Sequence, residues 1–140
     1  MSADAGPAGA ARVPAETLRR LARRWSCRLT VPGRRSGLPR TVTMWFAPDP
    51  EAGRIYLTGS GKPPHWVRNV RANEAAGGAV TLQIGATRLR GRARCVDDPA
   101  EAEAIRLRFT RRYLGARLAR ALGTGYRDST AVVVEELAPA

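Results

Sequence analysis

Val80-Thr81-Leu82-Gln83-Ile84-Gly85-Ala86-Thr87-Arg88-Leu89-Arg90-Gly91-Arg92-Ala93-Arg94-Cys95-Val96 reads as one β-hairpin. A strand runs from Val80 to Ile84, a turn falls near Gly85-Ala86, and the chain returns over Thr87 to Val96 in near-perfect alternation. A period of two marks a strand with one buried face. Leu89, Gly91, Ala93 and Cys95 are expected inside, and Arg88, Arg90, Arg92 and Arg94 form a basic ladder outside. The ladder reads first as a solvated sheet face that discourages edge-to-edge pairing. An anion-binding wall and a nucleic-acid contact are its other readings.

The same periodicity appears upstream. Residues 28–32 read as a strand, followed by the turn Pro32 to Pro39 and a strand from Arg40 to Ala47, in which Val42, Met44 and Phe46 alternate with Thr41, Thr43 and Trp45. The turn Ala47-Pro48-Asp49-Pro50 leads to a strand over Arg54 to Thr58 and the polar turn Ser60-Gly61-Lys62-Pro63-Pro64. A helix is expected over 64–73, with Pro64 in its first turn. Asp97-Asp98-Pro99 opens another over 100–122, with Ile105, Phe109 and Tyr113 on one stripe, Leu107, Leu114 and Leu118 on a second, and Gly115 as a break. Ala131 to Leu137 closes the chain, and Val132-Val133-Val134 suits a central strand buried on both faces.

Residues 1–13 read as a disordered arm ahead of a short helix beginning at Pro14. Its stripe is Leu18, Leu21, Ala22 and Trp25, with Arg19, Arg20, Arg23 and Arg24 opposite. At this length it must dock on the domain or lie on a membrane surface. Residues 14–137 thus form a single domain of α+β, mainly β class: about six to seven largely antiparallel strands curled into a small barrel, with helices packed outside.

The chemistry available to this domain is narrow. The 140 residues carry 24 basic and 12 acidic side chains, a formal charge of +12. Polyanions, phosphorylated small molecules and anionic membrane surfaces are its natural partners. His65 is the only histidine, and Cys27 and Cys95 stand far apart. No zinc site of the usual kind can be assembled, and a Ser-His-Asp triad would rest on His65 alone. No apolar run approaches the roughly 20 residues of a membrane span, and the start lacks a signal-peptide core, so a cytoplasmic location is expected. Few catalytic side chains and many arginines suit a protein that holds a cofactor carrying the reaction itself.

Gly33-Arg34-Arg35-Ser36-Gly37, with Arg40 just beyond, places two glycines, a hydroxyl and three guanidinium groups at one hairpin tip. Such a loop cradles phosphate or carboxylate. Ser60-Gly61-Lys62 forms a second small basic turn, and two converging cradles suit an extended ligand with several anionic groups.

Three runs in this order carry a resemblance: Leu29 to Thr41, Tyr56-Leu57-Thr58-Gly59-Ser60-Gly61, and Trp66-Val67-Arg68-Asn69-Val70-Arg71-Ala72-Asn73. Over residues 15–137 the chain resembles the deazaflavin-dependent nitroreductases, actinobacterial split β-barrel proteins related to pyridoxamine-phosphate-oxidase-like flavoproteins. The resemblance implies a split β-barrel that binds reduced coenzyme F420. It further implies hydride transfer to an electron-poor small molecule such as a quinone, enone or nitroaromatic. On the same implication Arg34, Arg35, Ser36 and Arg40, with Gly33 and Gly37, hold the phosphate and acidic tail. Thr43, Met44 and Trp45 lie along the ring, Ser60, Gly61 and Lys62 close the second side, and Trp66 and Asn69 complete the pocket. Tyr126 and Tyr113 are candidates for the acceptor pocket or the proton donor, beside Ser60 and solvent.

The chain departs from the family pattern in the insertion Asn73-Glu74-Ala75-Ala76-Gly77-Gly78 and in the aromatic stretch before the last strand, which is reduced to Tyr126. The acceptor is therefore not carried over. A flavin (FMN) reductase or oxidase on the same barrel is one alternative. A non-catalytic protein with a vestigial pocket is another, binding a partner or, through the arginine ladder, nucleic acid. Against nucleic acid, no aromatic residue interleaves with those arginines. Monomer and homodimer both fit, as does peripheral membrane contact through the N-terminal helix.

Overall fold

The computed structural model describes residues 12–59, 64–113 and 130–140. The strands are β1 (Ser26–Pro32), β2 (Pro39–Asp49), β3 (Arg54–Gly59), β4 (Ala79–Ile84), β5 (Thr87–Cys95) and β6 (Thr130–Pro139). They close into a barrel in the order β1-β2-β3-β6-β5-β4, and β4 completes the ring by pairing with β1. Every pairing is antiparallel. The helices are α1 (Ala15–Leu21), α2 (His65–Glu74) and α3 (Pro99–Arg112).

Alternation along each strand sorts its residues between two cores. Leu29, Phe46, Ile55, Leu57, Leu82, Leu89, Val132 and Val134 fill the barrel, joined by Leu18 and Leu21 of α1 and by Trp66, Val67 and Val70 of α2. A second cluster lies outside, where Ala102, Ile105 and Phe109 of α3, with Tyr113, cover Ala47, Tyr56, Ala131 and Val133. The valine run of β6 is buried on both faces for this reason: Val132 and Val134 point into the barrel, and Val133 points under α3. Leu89, Gly91, Ala93 and Cys95 are buried and Arg88, Arg90 and Arg92 exposed, as the period of two requires.

Several boundaries differ from expectation. α1 ends at Leu21, and Trp25, which helical spacing puts on its buried stripe, is 62% exposed. The chain turns early because Ser26 already pairs with Trp45, and because Arg112 takes the free carbonyls of Ala22 and Arg24. Leu18 and Leu21 enter the barrel core, so α1 docks on the domain. Val13, expected at the end of a disordered arm over 1–13, packs half-buried against that core, and residues 1–11 of the expected arm lie outside the described residues.

Pro64 is the N-cap of α2 instead of part of its first turn. α3 stops at Arg112, with Tyr113 at its C-cap. Leu107, expected on a second buried stripe, is 45% exposed, because the one apolar face of α3 already meets the sheet. Leu114, Gly115 and Leu118 lie outside the described residues. Asp98 caps α3 as its sequence suggests, its Oδ2 accepting from Glu101 N–H at 2.9 Å. Among the described residues no helix is long and apolar enough to cross a membrane.

Candidate active site

The β1–β2 loop is held by its own backbone. Gly33 N–H donates to the Leu38 carbonyl and Gly37 N–H to the Gly33 carbonyl, both at 2.8 Å, while Leu38 N–H donates to Ser36 Oγ at 3.1 Å. Gly37 takes φ 77°, the left-handed region that closes such a turn without strain only for glycine. A Cβ on Gly33 would stand 3.2 Å from Ser36 Oγ and 3.3 Å from Arg40 Nε, so the missing side chain is what lets Arg40 fold across the loop.

α2 anchors the loop from the other side. Trp66 is buried and seats the helix in the barrel, and Asn69, one turn on, is a buried polar residue aimed at the loop. Its Oδ1 accepts from Arg34 N–H at 3.1 Å and from Arg34 Nη1 at 2.8 Å. Arg34 Nη2 lies 3.2 Å from His65 Nδ1. A guanidinium only donates, so the His65 ring nitrogen is the acceptor of this contact.

Between loop and helix lies a cavity of about 580 Å³, lined by Gly33, Arg34, Arg35, Ser36, Arg40, Thr41, Val42, His65, Trp66 and Asn69 among others. No carboxylate lines it, and the Arg35 and Arg40 side chains make no hydrogen bond or ion pair with any described residue. Two free guanidinium groups and a hydroxyl beside a glycine-opened backbone are the donor set that a phosphate group requires.

A family model, the F420H(2)-dependent quinone reductases, matches residues 10–136. The chain belongs to this family. As a family member it is an F420H2-dependent reductase, and its cofactor is coenzyme F420. Solved structures share its split-barrel fold. An F420-H2 dependent reductase, FDR-A, aligns at 24% identity with a TM-score of 0.60, covering 79% of this chain and 93% of that one. A structure described as a domain-swapped dimer aligns at 24% identity and TM-score 0.62, covering 86% and 94%. A Clostridium acetobutylicum protein of the pyridoxinephosphate oxidase family, related to general stress protein 26, aligns at 16% identity and TM-score 0.56, covering 88% and 85%. No curated protein sequence matches the chain.

In this F420H(2)-dependent quinone reductase family member, β2 divides the residues expected along the ring. Val42 and Met44 are half-buried and pack against the barrel core. Thr43 and Trp45 face the other way, because neighbours on a strand point to opposite sides. Trp45, 37% exposed, stacks on Tyr113 at 4.4 Å between ring centroids and 16° between planes, away from the cavity. Gly37 shapes the loop but lines an adjoining groove instead.

Tyr113 is fully buried under α3. Its hydroxyl donates to the Phe46 carbonyl at 2.8 Å and accepts from Arg112 Nε at 3.1 Å, and burial pushes its phenol pKa up. It packs in the outer cluster and is not among the residues that line the cavity. Ser60, Gly61, Lys62 and Tyr126 lie outside the described residues. The partnership of Arg34 with His65 was not expected. The signal was available in the spacing of His65 and Asn69, four residues apart on one helix face.

Proposed function

We propose that this family member reduces a quinone-type or similarly electron-poor small molecule, with the phosphate of coenzyme F420 held at the Gly33–Arg40 loop. The observation that carries this reading is the pair Arg35 and Arg40, their side chains partnerless among the described residues, on a cavity that no carboxylate lines. When bound, the coenzyme supplies the hydride. The chain's own residues bind, orient and exclude water.

Arg35, Arg40 and Ser36 take the phosphate oxygens. Arg34 acts differently. Tied to Asn69 and His65, it fixes the loop to α2 and so positions the other two arginines. Val42 and Met44 offer an apolar wall against which water is excluded from the reacting face. Trp66 keeps α2 seated. Ser60, Gly61 and Lys62 close the far side in this reading, and Tyr126 or solvent gives the completing proton.

Titration of the purified protein with coenzyme F420, followed by quenching of tryptophan fluorescence, tests the placement, with FMN in a parallel cell. Micromolar binding of the deazaflavin and much weaker binding of FMN are expected. An Arg35→Ala, Arg40→Ala variant of unchanged circular dichroism should bind about tenfold to a hundredfold more weakly, the loss of charge-assisted hydrogen bonds. Undiminished binding by the variant, or none by the wild type, overturns it. Oxidation of the reduced coenzyme on adding menadione then tests the acceptor class.

A further inference from the structure

α3 presents two faces to two environments. Ala102, Ile105 and Phe109 meet the sheet, while Ala104, Leu107, Arg108 and Arg111, three to four residues apart, share a second face that is exposed. That face is one wall of a groove of about 720 Å³. α1 forms the opposite wall through Arg19 and Ala22, and the end of β2 with the turn beyond it forms the floor through Ala47, Pro48 and Pro50. α3 runs antiparallel to β2, since Arg112 donates to the Phe46 carbonyl and Arg108, one turn earlier, to the Pro48 carbonyl. Arg112 also takes the Ala22 carbonyl, and Arg19 reaches Glu51. Arg111 and Ala22 thus stand at one end of the groove, and Ala104 and Pro50 at the other.

The groove is apolar along its length and basic at its rim. No carboxylate among the described residues lines it. Its four arginines are not equivalent. Arg112 is taken up by backbone carbonyls, Arg108 leans on the Pro48 carbonyl at 3.4 Å and Asp49 at 3.5 Å, and Arg19 faces Glu51 at 3.6 Å. The Arg111 side chain has no hydrogen-bond or ion-pair partner among the described residues. Leu107 is 45% exposed, and the packing of α3 on the sheet does not use it. A concave apolar surface with one unclaimed cation at its end is the outline of an apolar body with a single anionic head.

We infer that the groove between α1 and α3 binds a medium-chain carboxylate free in solution, its head on the Arg111 guanidinium and its chain over Leu107, Pro48 and Pro50. The inference is independent of where the coenzyme sits, because the groove and the cradle cavity share no lining residue. A guanidinium fork matches the two oxygens of a carboxylate. From Arg111 to Ala104 is seven residues of helix, about 10 Å. An extended chain advances roughly 1.2 Å per bond, the three backbone bonds of a residue being the measure, so about eight bonds cover the floor. Decanoate has the length that fits. A groove between two helices suits a single chain better than a bilayer, which is flat at this scale.

The test is isothermal titration of the purified protein with decanoate, below its micellar concentration and at moderate salt. One equivalent should bind with micromolar affinity. Hexanoate should bind about tenfold more weakly, the loss of four half-covered methylenes, and tetradecanoate no tighter than decanoate, because its further methylenes lie past the floor. Decanol, the same body without the charge, should bind about fivefold more weakly. Arg111→Gln removes the partner of the head. Ala104→Glu sets a carboxylate against the end of the chain while its spacing to Arg108 supports the helix. Each should weaken decanoate about fivefold or more, whereas Arg20→Gln, on α1 but outside the groove, should leave it unchanged. Thermal melting checks that each variant is folded.

No binding of decanoate overturns the inference. So does affinity that climbs steadily from hexanoate through tetradecanoate, the mark of unspecific hydrophobic contact, or binding that survives both Arg111→Gln and Ala104→Glu. Decanoate binding lost instead by the Arg35→Ala, Arg40→Ala variant would place the anion in the cradle and overturn it. Phosphatidylglycerol vesicles that bind the wild type and neither groove variant, with decanoate inert, would assign the face to a lipid surface and overturn it as well.

Discussion

At Gly91 the barrel leaves no room for a side chain. A Cβ there would stand 2.8 Å from Val134 Cγ1, 3.0 Å from the Glu135 carbonyl oxygen and 3.1 Å from Leu137 Cδ2. The crowding belongs to a bulge in β6: Arg90 pairs with Ala138 but Arg92 with Glu135, and Glu136 takes φ 54° to accommodate the extra residue. Gly91→Ala should therefore destabilise by about 1–3 kcal/mol, read from the urea midpoint. An unchanged midpoint would mean that β6 yields at no cost. That Gly91 points inward is legible from its place between Leu89 and Ala93. The bulge is not, because it is a property of two strands read together. The cradle divides in the same way: each of Arg34, Arg35, Ser36, Arg40 and Asn69 stands out in the sequence, whereas the Arg34–Asn69 bond joins residues from two elements and exists only in space. Tyr113 shows the cost of that limit. Its helical stripe is readable, but the Phe46 carbonyl that claims its hydroxyl is not.

α1, β2 and the end of α3 meet at one guanidinium. Arg112 donates through Nε to the Phe46 carbonyl at 2.8 Å, through Nη1 to Ala22 at 3.2 Å and through Nη2 to Arg24 at 2.6 Å. It also lies over the Phe46 ring, 4.9 Å from its centroid. The Ala22 carbonyl belongs to the C-cap of α1, where a helix leaves its carbonyls bare, and the Arg24 carbonyl lies in the turn just beyond it. Arg112→Lys keeps the charge but loses the planar fork, and should cost about 2 kcal/mol in urea unfolding. Loss no greater than that of Arg111→Lys would show the three contacts to be idle. The same contact explains why α1 is shorter than its periodicity. Spacing alone extends the helix through Trp25, yet residues 22–25 find partners on α3 and β2, far away in sequence. The start of α3 is legible because Asp98 caps it locally.

The folded protein holds several acidic protons that the unfolded chain would release. Burial raises the Cys27 thiol from 9.0 to about 12 and Cys95 to about 11, and it raises the Tyr56 and Tyr113 phenols. A group raised on folding lends its full stability below its unfolded value and loses it as pH climbs to the folded one. Melting temperature should thus fall once pH passes 9.0, with Cys27 alone costing about 1.4 kcal/mol per pH unit up to about 12. Cys27→Val should flatten that slope, and a variant as alkali-sensitive as the wild type would refute the assignment. The antiparallel sheet was readable because three of its six pairings, β1–β2, β2–β3 and β4–β5, join strands directly consecutive in sequence. The closure of β4 on β1 and the place of β6 between β3 and β5 were not, since no local signal records them. β6 follows every other described strand in chain order, and Ile55 of β3 waits for Val134. A chain still on the ribosome therefore carries β3 and β5 as bare edges until residues 130–139 emerge. A β6 of the same sequence from a second nascent copy would fit the same seam on equal terms. Any exchange between two chains would then depend on how crowded half-made copies are, and not on how stable the finished barrel is.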